Sequence, residues 1–238
     1  MLNTLKSITN LLKKKGSKDF SFDSGERQTG KTLNQIRIDH ILRYRFAQNF
    51  IENLSDEVQT CLDAFCGNGY GTYLLANEFP FVKFTGIDGS MGAIECANEN
   101  YLLSNNEYSA KIFPFNLNKK YDIVISFESL EHVSNDTAML KLINQCLNLK
   151  GKLLLSVPNE NLQSLKLNPH PFHFKHYTHK EIIDLTSQNF ELLNWYGQNI
   201  YEFNRDGKNT YQLLSDSKMN LKEKEEGQVN IYVLEKRG

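Results

Sequence analysis

The sequence predicts a doubly wound α/β fold: a mostly parallel, seven-stranded sheet with helices on both faces. Three observations carry this. Apolar runs of strand length alternate with segments of helical spacing, which is the pattern of a parallel sheet with crossover helices. A glycine-rich turn joins the first strand candidate to the first crossover helix. The run Tyr121-Asp122-Ile123-Val124-Ile125-Ser126-Phe127 is almost continuously apolar, as in a strand buried on both faces. At 238 residues and 40% hydrophobic, the chain is long enough for one such domain with a small cap from its N-terminus and insertions.

Taken in order, Leu2, Leu5, Ile8 and Leu12 fall at helical spacing before Lys13-Lys14-Lys15. They fit an interfacial membrane helix, or a short helix packed on the domain with a solvated basic end. Residues 34–54 form a second helical segment, so residues 1–55 are expected to be a helical cap and 56–238 the main domain. Val58–Leu62 is the first strand, followed by a helix after Gly71. Val82–Ile87 is the second strand and Ser90–Leu103 the next helix. Short and central strands follow at Ala110–Phe113 and Tyr121–Phe127. Asp136–Leu149 is helical, with Gly151 suited to the turn that ends it. Lys152–Val157 is a strand closed by Pro158. Thr178–Gln188 is a helix whose Thr178 and Glu181 make a capping box. Glu191–Tyr196 and Val229–Leu234 close the chain as an antiparallel edge hairpin, bracketing the polar stretch Asn204–Gly227.

The formal charge of −1 argues against a protein that holds nucleic acid by neutralising phosphates. Cys61, Cys66, Cys96 and Cys146 form no C-x-x-C pair and read as reduced core residues of a cytoplasmic protein. No apolar run reaches membrane-spanning length and no signal peptide is visible, so no stable membrane insertion is expected.

The most informative segment is Asp63-Ala64-Phe65-Cys66-Gly67-Asn68-Gly69-Tyr70-Gly71, with Asp88 ending the next strand. Alternate glycines let the backbone turn sharply and approach a ligand. An acid at the neighbouring strand tip is placed to accept hydrogen bonds from ribose hydroxyls. A dinucleotide fingerprint would read G-x-G-x-x-G. Here the third glycine comes one residue early, and Asp63 would repel a pyrophosphate but suits an ammonium. In this the sequence resembles the class I S-adenosylmethionine (SAM) methyltransferases, whose Rossmann-like sheet also ends in an antiparallel hairpin.

That resemblance implies SAM as cofactor. Asp63, Gly67 and Gly69 would cradle its methionine end and Asp88 its ribose, with Cys66 and Phe127 completing the lining. Asn116 takes the place of an acid near the adenine amine, and Arg43 and Tyr44 are candidates for the carboxylate end. Gly89 stands where the family carries an apolar residue against adenine, so Phe113, Phe115 or Met91 would supply that surface.

Gly25-Glu26-Arg27-Gln28-Thr29-Gly30-Lys31-Thr32 matches the P-loop pattern G-x-x-x-x-G-K-T. The preceding residues, Lys18–Ser24, are mostly polar and make a poor central strand. The segment also resembles methyltransferases with a G-E-R run and an H-x-x-R-Y-x-F-A helix, here His40–Ala47. Bacterial proteins with both segments are associated with surface-polysaccharide (capsule) modification.

A second cluster, Glu128-Ser129-Leu130-Glu131-His132, follows the central strand. If it starts a helix, Glu128, Glu131 and His132 share one face. His170, His173 and His176 follow nearby in sequence. Carboxylates with imidazoles suit Mg²⁺, Mn²⁺ or Zn²⁺. The E-x-x-E-H run resembles the metal site of ubiquinone-biosynthesis O-methyltransferases and small-RNA terminal 2′-O-methyltransferases, which implies Glu128, Glu131, His132 and His173 as ligands. Without a metal, His132 or His173 is the candidate base, with Glu128 beside it. The expected activity is methyl transfer from SAM to oxygen of a small-molecule or glycan-precursor acceptor. Its rivals are a dinucleotide-dependent oxidoreductase, a non-catalytic SAM-binding module, and an NTPase using Gly25–Thr32.

Overall fold

The computed structural model describes Phe22, residues 27–54 and residues 58–238. The amphipathic Leu2–Leu12 stretch, Lys13–Lys15 and Gly25-Glu26 lie outside those residues.

The sheet grows from β1 (Thr60–Ala64), which pairs in parallel with β2 (Lys83–Asp88) on one side and β4 (Tyr121–Phe127) on the other. β3 (Asn106–Ala110) extends the β2 edge, and β5 (Leu147–Pro158) pairs in parallel with β4. The chain's last strand, β10 (Val229–Lys236), inserts antiparallel between β5 and β6 (Phe190–Gln198). The seven expected strands are therefore present, and a two-residue strand, β9 (Lys222–Glu223), adds an eighth at the β6 edge. A separate hairpin, β7 (Tyr201–Phe203) with β8 (Asn209–Leu213), forms within the polar stretch.

Side chains alternate across this sheet, and the two faces bury two cores. Cys61, Ile123, Ile125 and Leu154 face helices α1 (Ile38–Leu54), α2 (Tyr70–Glu78) and α3 (Met91–Asn100). Leu62, Val124, Leu153 and Leu155 face α4 (Asp136–Cys146) and α5 (His179–Thr186). Ile41, Tyr44, Ala47 and Ile51 of α1 belong to the first core together with strand residues, so α1 packs directly on the sheet.

Local chemistry sets the element ends. Ser90 and Asn135 cap α3 and α4 by accepting from the Ala93 and Ala138 amides, and Thr178 with Glu181 forms the expected capping box. Several boundaries differ from expectation, the first strand being Thr60–Ala64 rather than Val58–Leu62, and two of the differences have a clear local reason. The third strand is Asn106–Ala110 rather than Ala110–Phe113, because register with β2 places Tyr108 beside Gly86 and because Pro114 has no N–H to pair. Gly151 lies inside β5, not in a helix-ending turn: α4 stops at Cys146, and Lys150 takes the left-handed backbone (φ 59°) at the irregularity. None of the helices among the described residues is long and apolar enough to cross a membrane.

Candidate active site

The C-terminal ends of β1, β2 and β4, with the start of β10, converge on one cavity of about 700 Å³. At the end of β1 the backbone must reverse into α2 within a few residues. Phe65, Gly67 and Gly69 take positive φ of 67°, 57° and 85° to do so. A Cβ on Gly69 would stand 2.7 Å from that of Ala97, and one on Gly71 would stand 2.0 Å from Cζ of Tyr44. The spaced glycines thus admit the Tyr44 ring over the turn as well as opening backbone at Gly67.

Asp63 lies behind that ring. Its carboxylate accepts from the Tyr44 hydroxyl at 3.0 and 3.1 Å and from Thr72 Oγ1 at 2.7 Å, and it is 1% exposed. Burial pushes its pKa up to about 6, against the two donors that favour the charge; nearby Asp88 adds to the rise. Burial, with the Asp63 charge beside it, holds the Tyr44 hydroxyl well above the usual tyrosine range. Asp88 accepts from the Gly67 amide at 3.0 Å and the Ser90 amide at 2.8 Å, and pairs with Arg27 at 3.2 Å.

Among the expected cofactor residues, Cys66, Gly67, Asp88, Phe127, Arg43 and Tyr44 line the cavity, whereas Asp63, Gly69 and Asn116 do not. Asn116 is exposed on the loop after β3. Arg43 is 2% exposed and its guanidinium bonds Gln198 at 2.7 Å and Asp39 at 3.4 Å. On the side expected for adenine, Phe113 and Phe65 form the wall and Phe65 packs on Phe115 at 6.0 Å, while Met91 is 62% exposed. Sequence reasoning missed Phe65, which sits inside the quoted motif.

It also missed His40, the first residue of the H-x-x-R-Y run. His40 lines the cavity with Nδ1 3.1 Å from the Tyr70 hydroxyl, and burial and the neighbouring Arg43 charge push its imidazole down to about 3. Arg37 clamps Asp39 with two bonds of 2.9 and 2.7 Å and donates to the Tyr201 hydroxyl of the β7–β8 hairpin. No local pattern announces that contact, since its partners lie far apart in the chain.

The Gly25–Thr32 segment does not build a phosphate site in its described part. Gly30 turns its carbonyl to Asn68 Nδ2 and the Tyr101 hydroxyl, at 2.7 and 2.8 Å, and Lys31 and Thr32 are exposed. The turn that follows, Leu33–Gln35, is a three-residue 3-10 helix rather than an α-helix with an N-terminus to offer.

The Glu128–His132 run does not start an α-helix. Glu128 adopts the left-handed region (φ 47°) and its carboxylate accepts from Ser156 Oγ of β5 at 2.9 Å. Leu130–His132 then makes a 3-10 turn. Glu131, 1% exposed, and His132 meet His173 so that one potential ligand atom of each lies within 4.8 Å of the others; Glu128 is outside this group. The Phe174 amide donates to the Glu131 carbonyl at 2.8 Å, which ties the 160–177 segment to the turn. His132 Nδ1 lies 3.2 Å from the Phe172 carbonyl, and His173 Nδ1 lies 2.7 Å from His176 Nε2. Glu128, Glu131, His132, His170 and His173 all line the same cavity as Gly67 and Asp88.

This site has known counterparts. The profile of the methyltransferase domain family matches residues 38–205. A malonyl-[acyl-carrier protein] O-methyltransferase of Acetivibrio thermocellus is 35% identical over 96 residues, 40% of this chain and 34% of that protein. A ribosomal RNA small subunit methyltransferase C of Buchnera aphidicola is 30% identical over 139 residues, 56% of this chain and 41% of that protein. The chain thus aligns with less than half the length of either relative. The N-methyltransferase NodS of Bradyrhizobium japonicum, solved with S-adenosyl-L-homocysteine, shares the fold at a TM-score of 0.55 and 15% identity, over 81% of this chain and 86% of that one. With the family profile spanning most of the sheet and the glycine loop leading into the cavity, the chain belongs to the methyltransferase domain family and has the fold of the class I SAM-dependent methyltransferases.

Proposed function

We propose that the protein transfers the methyl group of SAM to an oxygen of a small-molecule or glycan-precursor acceptor. In this reading Glu131, His132 and His173 hold a divalent cation that orients the acceptor, with Glu128 at its margin. The observation that carries it is the convergence of Glu131, His132 and His173 in the cavity that Gly67 and Asp88 also line. One carboxylate and two imidazoles are a donor set suited to Mn²⁺ or Zn²⁺, and to Mg²⁺ when further oxygen ligands come from Glu128 or the acceptor.

SAM supplies a methyl group already activated on a sulfonium, so the protein's task is to align the acceptor and manage its proton. A bound cation would lower the pKa of an acceptor hydroxyl. In this reading Asp88 takes the ribose hydroxyls and Phe65 with Phe113 the adenine faces. Arg27 must then share Asp88 with the ribose. Val157-Pro158-Asn159-Glu160 stands at the β5 end in place of an Asn-Pro-Pro-Tyr run of amide methyltransferases, which favours oxygen over an amide nitrogen. The O-methyltransferase among the relatives agrees with that choice.

The test is calorimetric titration of SAM and of Mn²⁺, with S-adenosyl-L-homocysteine release measured over a panel of hydroxyl acceptors. SAM is expected to bind without metal. Mn²⁺ binding should fall at least about 10-fold in Glu131→Gln and His173→Ala, and turnover should collapse in EDTA. Unchanged Mn²⁺ binding in both variants would remove the metal. Full turnover in EDTA, with His173→Ala inactive, would make His173 the base instead.

A further inference from the structure

We infer that His176 is a positioning residue for the methyl-transfer site: it dictates which nitrogen of His173 carries the proton. The observation is a chain of three groups. His176, 2% exposed, sits between the Gln163 carbonyl, bonded to its Nδ1, and His173 Nδ1, which lies 2.7 Å from its Nε2.

The assignment of protons follows from what each group can offer. A carbonyl has no hydrogen to give, so the hydrogen at the first contact belongs to His176 Nδ1. A neutral imidazole with its proton on Nδ1 has a lone pair on Nε2. Two lone pairs cannot make the second contact, so the hydrogen there belongs to His173 Nδ1. His173 is left with its lone pair on Nε2, the nitrogen with which it can take a cation or a proton. His132 is set the same way in a single step, since its Nδ1 faces the Phe172 carbonyl at 3.2 Å. Both imidazoles are thereby held in the same tautomer beside Glu131, and in both cases the 160–177 segment supplies the partner.

The surroundings of His176 leave little choice. Glu160 Oε2 stands 3.9 Å from its Nδ1, beyond hydrogen-bond reach, and the Glu160 carboxylate takes the Ser164 hydroxyl and the Leu165 amide at 2.8 and 2.9 Å. Gln163 is itself anchored, its amide donating to the Asn159 carbonyl at 2.7 Å, so the carbonyl that begins the relay is fixed to the end of β5. Partners of this kind orient metal-binding imidazoles and fix their tautomer, and their loss costs about 10–100-fold in affinity.

This inference rests on the reading that His173 serves the site, and the experiment separates the two. Long-range ¹H–¹⁵N correlation spectra of metal-free protein labelled at its six histidines read each tautomer directly at pH 8. His173 is expected as the Nδ1–H form in the wild type, to shift towards Nε2–H in His176→Phe, and to return to Nδ1–H in His176→Gln, whose amide oxygen restores an acceptor. In parallel, Mn²⁺ affinity should drop about 10–100-fold in His176→Phe and recover to within a few-fold in His176→Gln. An Nε2–H tautomer of His173 in the wild type overturns the inference, and that spectrum decides even where His176→Phe does not fold. Retention of Nδ1–H in His176→Phe, or equal loss of Mn²⁺ affinity in both variants, overturns it too. If His173→Ala leaves Mn²⁺ binding and turnover intact, the proposed role of His173 falls while the tautomer result stands on its own.

Discussion

Asp63 carries a charge at odds with its buried environment. Its folded pKa of about 6 lies above the ordinary carboxylate value, so the folded state binds this proton more tightly than the unfolded chain does. Its ionised form therefore weighs against folding: the cost is absent below about pH 4, grows towards pH 6, and is complete above it. Asp63→Asn should accordingly gain stability on the wild type as pH rises through that window, by at most about 3 kcal/mol, as read from paired thermal melts. A cationic ligand reverses the sign, because a positive charge near Asp63 favours its ionised form. SAM affinity should increase between pH 5 and 7 in the wild type and be both weaker and flat in Asp63→Asn, a comparison that calorimetry can make. A pH-independent wild-type affinity would show that Asp63 does not sense the cofactor. The spacing of Asp63, Gly67 and Asp88 was legible because they fall within one strand–turn–helix–strand unit. That Tyr44 stands between Asp63 and the cavity was not, because Tyr44 arrives from α1 and only packing brings the ring over Gly71.

Elements were legible where one local signal dominates, and their ends were not where pairing decides. The capping box of α5 is an instance of the first kind: Thr178 Oγ1 accepts from the Glu181 amide at 3.2 Å, and Glu181 Oε2 accepts from the Thr178 amide at 2.8 Å. Thr178→Ala should cost about 1 kcal/mol and lower the melting temperature by about 2–4 °C. A loss of metal affinity larger than that stability change implies would reveal coupling to Tyr177 and His176 just upstream. The Glu128–His132 run is of the second kind. Helical spacing would put Glu128, Glu131 and His132 on one face, but the Glu128 amide donates to both Oγ and the carbonyl of Ser156, at 2.9 and 3.1 Å. Those bonds to β5 hold Glu128 at positive φ and leave only a 3-10 turn. Ser156→Ala should free the Glu128 carboxylate while the bond to the Ser156 carbonyl remains, and should change Mn²⁺ binding far less than Glu131→Gln does, which titration of the two variants would check.

At the scale of the molecule, the last strand is central rather than peripheral. β10 pairs with β5 over Val229–Glu235 and with β6 over Val229–Lys236, and Ile231, Tyr232 and Leu234 are fully buried. Ending the chain at Gly227 would open two strand edges and expose both cores. Such a protein should lack a cooperative thermal transition, whereas removal of Arg237 and Gly238 should leave one. Arg43 ties α1 to β6 through Gln198, and Arg43→Met should destabilise by about 1–3 kcal/mol, because the change leaves the buried Gln198 Oε1 without its donor while Asp39 keeps both bonds from Arg37. The sequence by itself determined the alternation of strands and helices, the glycine turn and the pair of acids around it, since each depends on spacing within one or two adjacent elements. Tertiary structure decided which side chains share the cavity: His173 beside Glu131, His176 behind His173, Tyr201 against Arg37. The physical reason is that spacing along a chain constrains neighbours within an element, while encounters between distant segments are set by sheet order and by the paths of the connections that cross its C-terminal edge.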